Sequence, residues 1–403
     1  MKKINLYLLI PIVFGLFISL YFVESFEYKN DEQLAVKYLS QPSTLFEVLQ
    51  LQTPDEGRGV NHSMLPTRFA GILTFFIFGN EISPIGLRIM YSLVPISVLI
   101  VFSNRIRQSK NKLFILFTIA LAISNPYSLL IIRKLWTHGG PITMAGHLII
   151  FLLFFTRKYQ RDYLLLGLFT WILVTLHTTA ILYSVSLTIV FLLYFFSNKK
   201  ELTQFIYGSA IGLLISLQWI LKVIGSLGES NNLLSSQGES AYWVLLFQYL
   251  RLENIKFDIG LDFFTDSYMN EISIFAGGLV VVLIILNVVS IVSIKSKDFV
   301  LLLPFVITGI LFIYLDLYLY PRYVVSFWPL VYLPLTVTML PKYQRSQNKK
   351  IIVFLLTIVV ALNVFQSTLL FREIVQNPEN ITGNIGKVYQ ICGVSADDSR
   401  LCR

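Results

Sequence analysis

This chain holds only 2 cysteines and 4 histidines in 403 residues, and only 14% of it is charged. A typical globular domain carries about 25% charge, so the shortfall excludes a disordered chain and an ordinary soluble enzyme. No GxGxxG, Walker, HExxH or CxxC motif occurs, and there is no repeat of fixed period and no low-complexity tract. The formal net charge is +9, yet no Lys/Arg tract is long enough to suit nucleic acid. What the chain does have is apolar residues, 55% of the total, with a mean hydropathy of +0.69. The apolar runs recur from Leu6 to Phe371, which excludes a single-span receptor. The expected class is an all-α polytopic membrane protein.

A hydrocarbon core needs roughly 20 apolar residues in helical form. Eleven spans are predicted, at about 4–24, 84–103, 113–132, 142–156, 162–177, 179–197, 203–224, 272–294, 299–318, 324–341 and 350–371. The run after Met1–Lys3 is too long for a signal-peptide core and lacks an A-x-A site, so it reads as an uncleaved first span.

The basic residues form short clusters between these runs. Lys2/Lys3, Arg105/Arg107/Lys110/Lys112, Arg157/Lys158/Arg161, Lys199/Lys200, Lys295/Lys297 and Lys342/Arg345/Lys349/Lys350 all fall on one side if the spans are right. That side is then the cytoplasm and also holds the N-terminus. The other side receives the long loops 25–83 and 225–271 and the tail 372–403. The implied organisation is one transmembrane unit, 1–371, including the loop 25–83, followed by a short extracytoplasmic tail, 372–403. The expected location is a bacterial inner membrane. On this topology Cys392 and Cys402 lie in an oxidising compartment, and a disulfide between them is expected; two thiols in a cytosolic tail are the alternative.

Two segments of the first outside loop stand out. The apolar core of Met64–Gly79, Phe69–Phe78, is too short to span, so a helix along the outer membrane surface is expected. Nearer the first span, Asp31-Glu32 precede Leu34, Val36, Tyr38 and Leu39, an apolar stripe suited to an interfacial helix. Asp31 would stand at that helix's start, either as a simple N-cap or as a functional carboxylate at the lipid–water boundary.

The order of these features resembles the GT-C superfamily of membrane glycosyltransferases. The likeness is to the branch of protein O-mannosyltransferases and lipid A aminoarabinose transferases. There an Asp-Glu pair follows the first span, as Asp31-Glu32 do here. His62-Ser63-Met64-Leu65-Pro66 resembles the segment leading into a helix that ends Phe-Gly, here Phe78-Gly79. Pro84-Ile85-Gly86-Leu87-Arg88-Ile89 resembles the Arg-Leu-rich opening of the second span. Ala122-Ile123-Ser124-Asn125-Pro126-Tyr127 resembles a turn near the end of the third, and Pro321-Arg322-Tyr323 a late Arg-Tyr. The likeness covers roughly 1–200 and the region around 320. It departs from the family pattern at Arg133-Lys134-Leu135-Trp136-Thr137-His138, where the expected acid is missing, and at Ser63-Met64, where a second Pro is missing. Within these 403 residues no large soluble domain of the oligosaccharyltransferase type is expected.

The resemblance implies transfer of a sugar from a polyprenyl-phosphate donor to an extracytoplasmic acceptor that is a glycan, lipid or protein. The chemistry requires a base near the acceptor hydroxyl and cations on the departing phosphate. Asp31 is the expected base and Glu32 its neighbour for the acceptor. Arg133, Lys134 and Arg322 are expected at the phosphate, against snorkelling to headgroups or an aromatic belt with Tyr318 and Tyr320. His62, His138 and Tyr323 are further substrate or divalent-metal candidates. His147 and His177, in or beside spans, read as buried hydrogen-bonded histidines. Asp258, Asp262, Asp266 and Glu271 among Phe257, Phe263, Phe264 and Tyr268 suit a sugar but equally an ordinary interfacial loop. A lipid-linked glycan flippase and a polysaccharide polymerase or ligase remain alternatives. The spans carry almost no charge away from their ends, which disfavours a midplane transport path.

Overall fold

The computed structural model describes residues 39, 42–51, 64–79, 84–124, 126–132, 140–177, 180–227, 303–314 and 349–376, together with Val13 and Phe17. Every regular element among the described residues is helical. In chain order, α1 is Leu45–Gln50, α2 Met64–Phe78, α3 Pro84–Gln108, α4 Lys112–Ser124, α5 Pro126–Ile132 and α6 Pro141–Thr156. There follow α7 Gln160–Leu176, α8 Ala180–Phe195, α9 Lys199–Leu227, α10 Leu303–Tyr314 and α11 Lys349–Gln376.

Two of these, α3 and α9, are long and apolar enough to cross a membrane, over Gly86–Gln108 and Lys199–Gly225. Their most apolar stretches are only 39% and 22% buried inside the protein. Ile100, Val101, Leu214 and Leu221 are each at least 60% exposed. A helix in the core of a soluble body would bury such side chains. Apolar rows facing outward suit a hydrocarbon surrounding, where no water penalises them.

Both long helices outrun their expected spans, 84–103 and 203–224, by continuing through charged turns. α3 runs on through Arg105 and Arg107, and α9 starts at Lys199-Lys200-Glu201. Arg and Lys are good helix formers with stems long enough to reach water, so the charges do not stop the helix. The helices α6, α7, α8 and α11 occupy the stretches expected at 142–156, 162–177, 179–197 and 350–371. The expected spans at 272–294 and 324–341 lie outside the described residues, as does that at 4–24 apart from Val13 and Phe17.

The tightest packing joins α7 to α9. A Cβ added to Gly208 would land on the carbonyl oxygen of Leu164, and one on Gly167 would strike the Phe205 carbonyl oxygen. One on Gly212 would lie 2.5 Å from the Leu168 carbonyl oxygen. One turn further on, the Ser216 hydroxyl donates to the Trp171 carbonyl at 2.8 Å. Beyond that, Val174 packs with Trp219 and Val223. The small-residue series Gly208, Gly212, Ser216 therefore lets two backbones touch, as in membrane helix pairs. The contacts advance together along both sequences, so α7 and α9 run parallel.

Helix α6 runs against α7. Gly146 faces Leu173 and Leu176, and Thr143 Oγ1 donates to the Leu176 carbonyl at 3.4 Å. At the other end, Asp162 Oδ2 accepts from the Lys158 and Tyr159 amides at 2.8 and 3.0 Å, closing the first turn of α7. The helices α6 to α9 thus alternate in direction. The connectors 157–159 and 196–198 share one end of the bundle. The connector 109–111 joins them there: Arg105 pairs with Asp162 at 2.5 Å, Lys158 Nζ donates to Gln108 Oε1 at 2.9 Å, and Ser109 Oγ donates to the Phe155 carbonyl at 3.1 Å. Three of the basic clusters expected on one side therefore meet at one end. Beneath them Phe154, Phe191, Tyr194, Phe195 and Phe205 pack ring to ring. The Arg157 guanidinium lies 4.2 Å above the Phe154 ring and donates to the Tyr194 hydroxyl at 3.2 Å.

The glycine contact yields a paired test. Gly208→Ala should lower the melting temperature in detergent, since overpacking against a backbone that no rotamer change can move costs about 1–3 kcal/mol. Gly225→Ala, in the same helix with nothing within 4 Å of the added methyl, should be neutral or stabilising. Equal melting temperatures for the two variants would refute the close α7–α9 crossing.

Candidate functional site

The first outside loop has its own small core. Thr44 caps α1, its hydroxyl accepting from the Glu47 amide at 3.3 Å. In return Glu47 accepts from the Ser43 amide at 2.7 Å and the Ser43 hydroxyl at 3.0 Å. The Ser43 amide, ahead of the Ser43 hydroxyl, holds the Glu47 carboxyl below the usual carboxylate range. This is a capping box shifted by one residue, and it fixes where α1 begins. Helix α2 presents Thr67, Ala70, Gly71 and Thr74 as a buried stripe. Against Gly71 lie Val48 and Leu51, with Leu39 just beyond. Arg68 Nε donates to the Leu51 carbonyl at 3.3 Å, closing the end of α1. The opposite side of α2 exposes Phe69, Phe76 and Ile77.

The segment Met64–Gly79 is thus helical as expected, with its small residues turned to the protein and its large apolar residues turned away. Gly79 ends it with φ +60°, its amide donating to the Phe75 carbonyl at 3.0 Å. A left-handed residue at this position is the reason the helix ends in Phe-Gly.

The next feature is Arg88, in the second turn of α3, which is 2% exposed and among the largest fully buried side chains. It lies twenty residues before Gln108, or about 30 Å along the helix axis. Pro141 lies about 25 Å from the Lys158 end of α6 by the same rise. Since α3 and α6 share their charged end, Arg88 stands near the level of Pro141, at the opposite end of the bundle. Tyr91 and Ser92 are buried beside it in sequence. A buried guanidinium must have its charge and donors compensated, which makes Arg88 a residue to weigh for function.

The third feature is the break between α4 and α5. Asn125 precedes Pro126, whose ring disfavours a helical residue before it and brings no N–H, so α4 stops at Ser124 and Pro126 opens α5. Ser124, the last residue of α4, is buried and is met by the last described helix. Asn363 Nδ2 donates to Ser124 Oγ at 3.3 Å, and Ser124 Oγ donates to the Leu121 carbonyl at 3.2 Å. Ser367 Oγ lies 3.3 Å from the Ser124 carbonyl and 2.8 Å from the Asn363 carbonyl. The one Ser367 proton serves the nearer Asn363 carbonyl within α11 and reaches the Ser124 carbonyl only as a longer, shared bond.

The two histidines expected to be buried are buried. His147 is fully buried, with Nδ1 2.8 Å from the Thr143 carbonyl and its ring 5.7 Å from that of Tyr183. His177 is buried at the C-cap of α7. Ser186 and Thr308 are joined at 2.9 Å between α8 and α10. Among the described residues, no three of His, Cys, Asp and Glu gather as a metal site would require.

Every residue singled out for chemistry lies outside the described residues. These are Asp31, Glu32, His62, Arg133, Lys134, His138, Arg322 and Tyr323, with the pair Cys392 and Cys402 and the acidic loop residues 258–271. What is described is the frame that flanks them in sequence. The Asp31-Glu32 pair precedes the α1–α2 unit, Arg133-Lys134 follow the last residue of α5, and His138 precedes α6. Arg88 was visible in the sequence only as part of a motif. Its signal was a single cation set four residues inside a span with no basic neighbour. Comparison of the chain with models of known families, with curated proteins and with solved structures finds no match.

The contact of α11 with Ser124 predicts graded losses of stability. Ser367→Ala removes a hydroxyl donor and should cost about 1 kcal/mol. Asn363→Asp introduces a buried carboxyl in place of a neutral donor and should cost more. Melting curves in detergent read both; unchanged midpoints would mean that α11 does not make this contact.

Proposed function

We propose that this protein is a GT-C-type membrane glycosyltransferase. It has about eleven spans, a cytoplasmic N-terminus, and its chemistry and C-terminus on the extracytoplasmic side. It moves a sugar from a polyprenyl-phosphate donor to a glycan, lipid or protein acceptor of the cell envelope. The observation that carries the reading is the ordered set of motifs, three of which have a local physical reason. Phe78-Gly79 closes a helix through a left-handed glycine, Arg88 is a buried cation near the start of a span, and Ser124, the last residue of α4 before Asn125-Pro126, is buried and bonded to α11.

In this reading the acceptor hydroxyl oxygen bonds to the anomeric carbon as the bond from that carbon to the phosphate oxygen breaks. Asp31 takes the hydroxyl proton and Glu32 orients the acceptor. Arg133, Lys134 and Arg322 hold the polyprenyl phosphate as it leaves with the bonding pair. Arg88 adds a fixed positive charge near the end of the bundle from which connector 133–140 runs. His62, His138 and Tyr323 stand as substrate contacts, and His62 and His138 with the acidic pair are the residues that would hold a divalent ion. The exposed Phe69, Phe76 and Ile77 of α2 suit a helix lying in the outer leaflet beside the lipid donor.

The direct test is to incubate the purified protein with a panel of polyprenyl-phosphate sugars and measure release of polyprenyl phosphate. A flippase would move the lipid without releasing it. Asp31→Asn keeps shape and capping ability, so it should insert normally and lose about 10²–10⁴-fold in turnover. Arg322→Ala should lose activity strongly and Arg322→Lys recover only part, since Lys offers a point charge in place of a planar fork. Full activity in Asp31→Asn and Glu32→Gln together would end the enzyme reading as drawn.

The topology has its own test. A phosphatase fused after Arg403 should be active outside the cytoplasm, and mass spectrometry without reductant should find Cys392 and Cys402 bridged. A reporter active only inside the cell would overturn the span count.

A further inference from the structure

The charged end of the bundle does more than collect basic connectors. Its internal bonds engage part of the charge and leave the rest outward. Arg105 is taken up by Asp162, which is completely buried and also holds the two amides at the start of α7. Arg157 lies over the Phe154 ring and reaches Tyr194. What stands outside these bonds is Arg107 and Lys110 on one connector and Arg161 on the other, all exposed. No carboxylate among the described residues pairs with them. The Lys158–Gln108 and Ser109–Phe155 hydrogen bonds lock the two connectors together, so cations from separate helices are held as one surface. Tyr159, 56% exposed, lies between them in sequence, with the Arg161 guanidinium 5.2 Å above its ring. Cations beside an exposed tyrosine are the combination found where protein meets lipid headgroups.

We propose that connectors 105–112 and 157–162 form one built site for the phosphodiester headgroup of an anionic phospholipid. Lys110 and Arg161 supply the charge and Tyr159 marks the headgroup level. The Arg105–Asp162 pair is the staple that holds the site's two halves in register. A topology signal alone requires only that the positive charges lie on one side; it does not require them to be bonded together across two helix pairs. Assignment to the cytoplasmic leaflet rests on the topology proposed above, whereas the binding itself does not.

Purified full-length protein, exchanged into mixed micelles of phosphatidylglycerol and phosphatidylcholine, should retain phosphatidylglycerol in native mass spectrometry. The double variant Lys110→Gln/Arg161→Gln should lose that retention by about 10-fold or more, each basic side chain near a headgroup contributing strongly. Lys199→Gln/Lys200→Gln removes the same charge from the neighbouring connector, where both lysines are also exposed, and should change retention little. The charge-keeping variant Lys110→Arg/Arg161→Lys should bind as the natural protein does. Equal loss in the two Gln doubles would mean a diffuse field and overturn the site. So would equal retention of the two lipids, or displacement of phosphatidylglycerol by excess inorganic phosphate. Lys110→Cys labelled only from outside the cell would count against the topology, and loss of lipid selectivity against the site, so the two failures are separable.

Discussion

The arrangement of α6 to α9 depends on two backbones being allowed to touch. Between apolar helices in lipid, burial of apolar surface gives little net drive, because hydrocarbon tails are as apolar as leucine. Close dispersion contact and a few hydrogen bonds must serve instead. Gly167, Gly208 and Gly212 provide the closeness, and Ser216 donating to the Trp171 carbonyl provides the bond. Because α7 and α9 are parallel, α8 has to return between them, and the connectors before α7 and before α9 are forced to one end. The sidedness of the charged connectors thus follows from a packing contact as well as from their composition.

The charged end of the bundle uses polar groups differently from the rest. At the charged end, an ion pair and two further hydrogen bonds tie α3, its connector, α6 and α7 together, and stacked Phe154 and Phe191 rings join α6 to α8. Elsewhere among the described residues the buried polar groups are mostly hydroxyls. Ser92 and Thr170 donate back to the carbonyl four residues earlier. Ser186 does the same and also meets Thr308 of α10, while Thr143 reaches across to the Leu176 carbonyl of α7. Arg88 is the exception, a buried cation.

Much of the framework was legible in the sequence because apolar runs and basic or Pro/Gly punctuation alternate cleanly from residue 84 to 227. The helix 64–78, too short to span and ended by Gly79, followed from length and turn chemistry, as did the burial of His147. Three things were not legible. Asp162 reads as the first residue of a span, and only the fold shows Arg105 waiting for it across a separation of 57 residues. Gly167 and Gly208 are plain glycines in the sequence, since a close approach is a property of a pair and not of a residue. Asn363 and Ser367 look like incidental polar residues in the last apolar run until Ser124 is placed beside them. In each case the missing knowledge is the partner, which periodicity along one helix does not carry.

That last contact has a consequence in time. A ribosome makes Ser124 long before Asn363, which follows it by 239 residues. Throughout that interval Ser124 lacks the helix it finally meets, although its hydroxyl can still donate to the Leu121 carbonyl. On the membrane reading proposed above, a chain that stops short of α11 leaves the Ser124 carbonyl and hydroxyl without their cross-helix partners in hydrocarbon, where such groups are expensive.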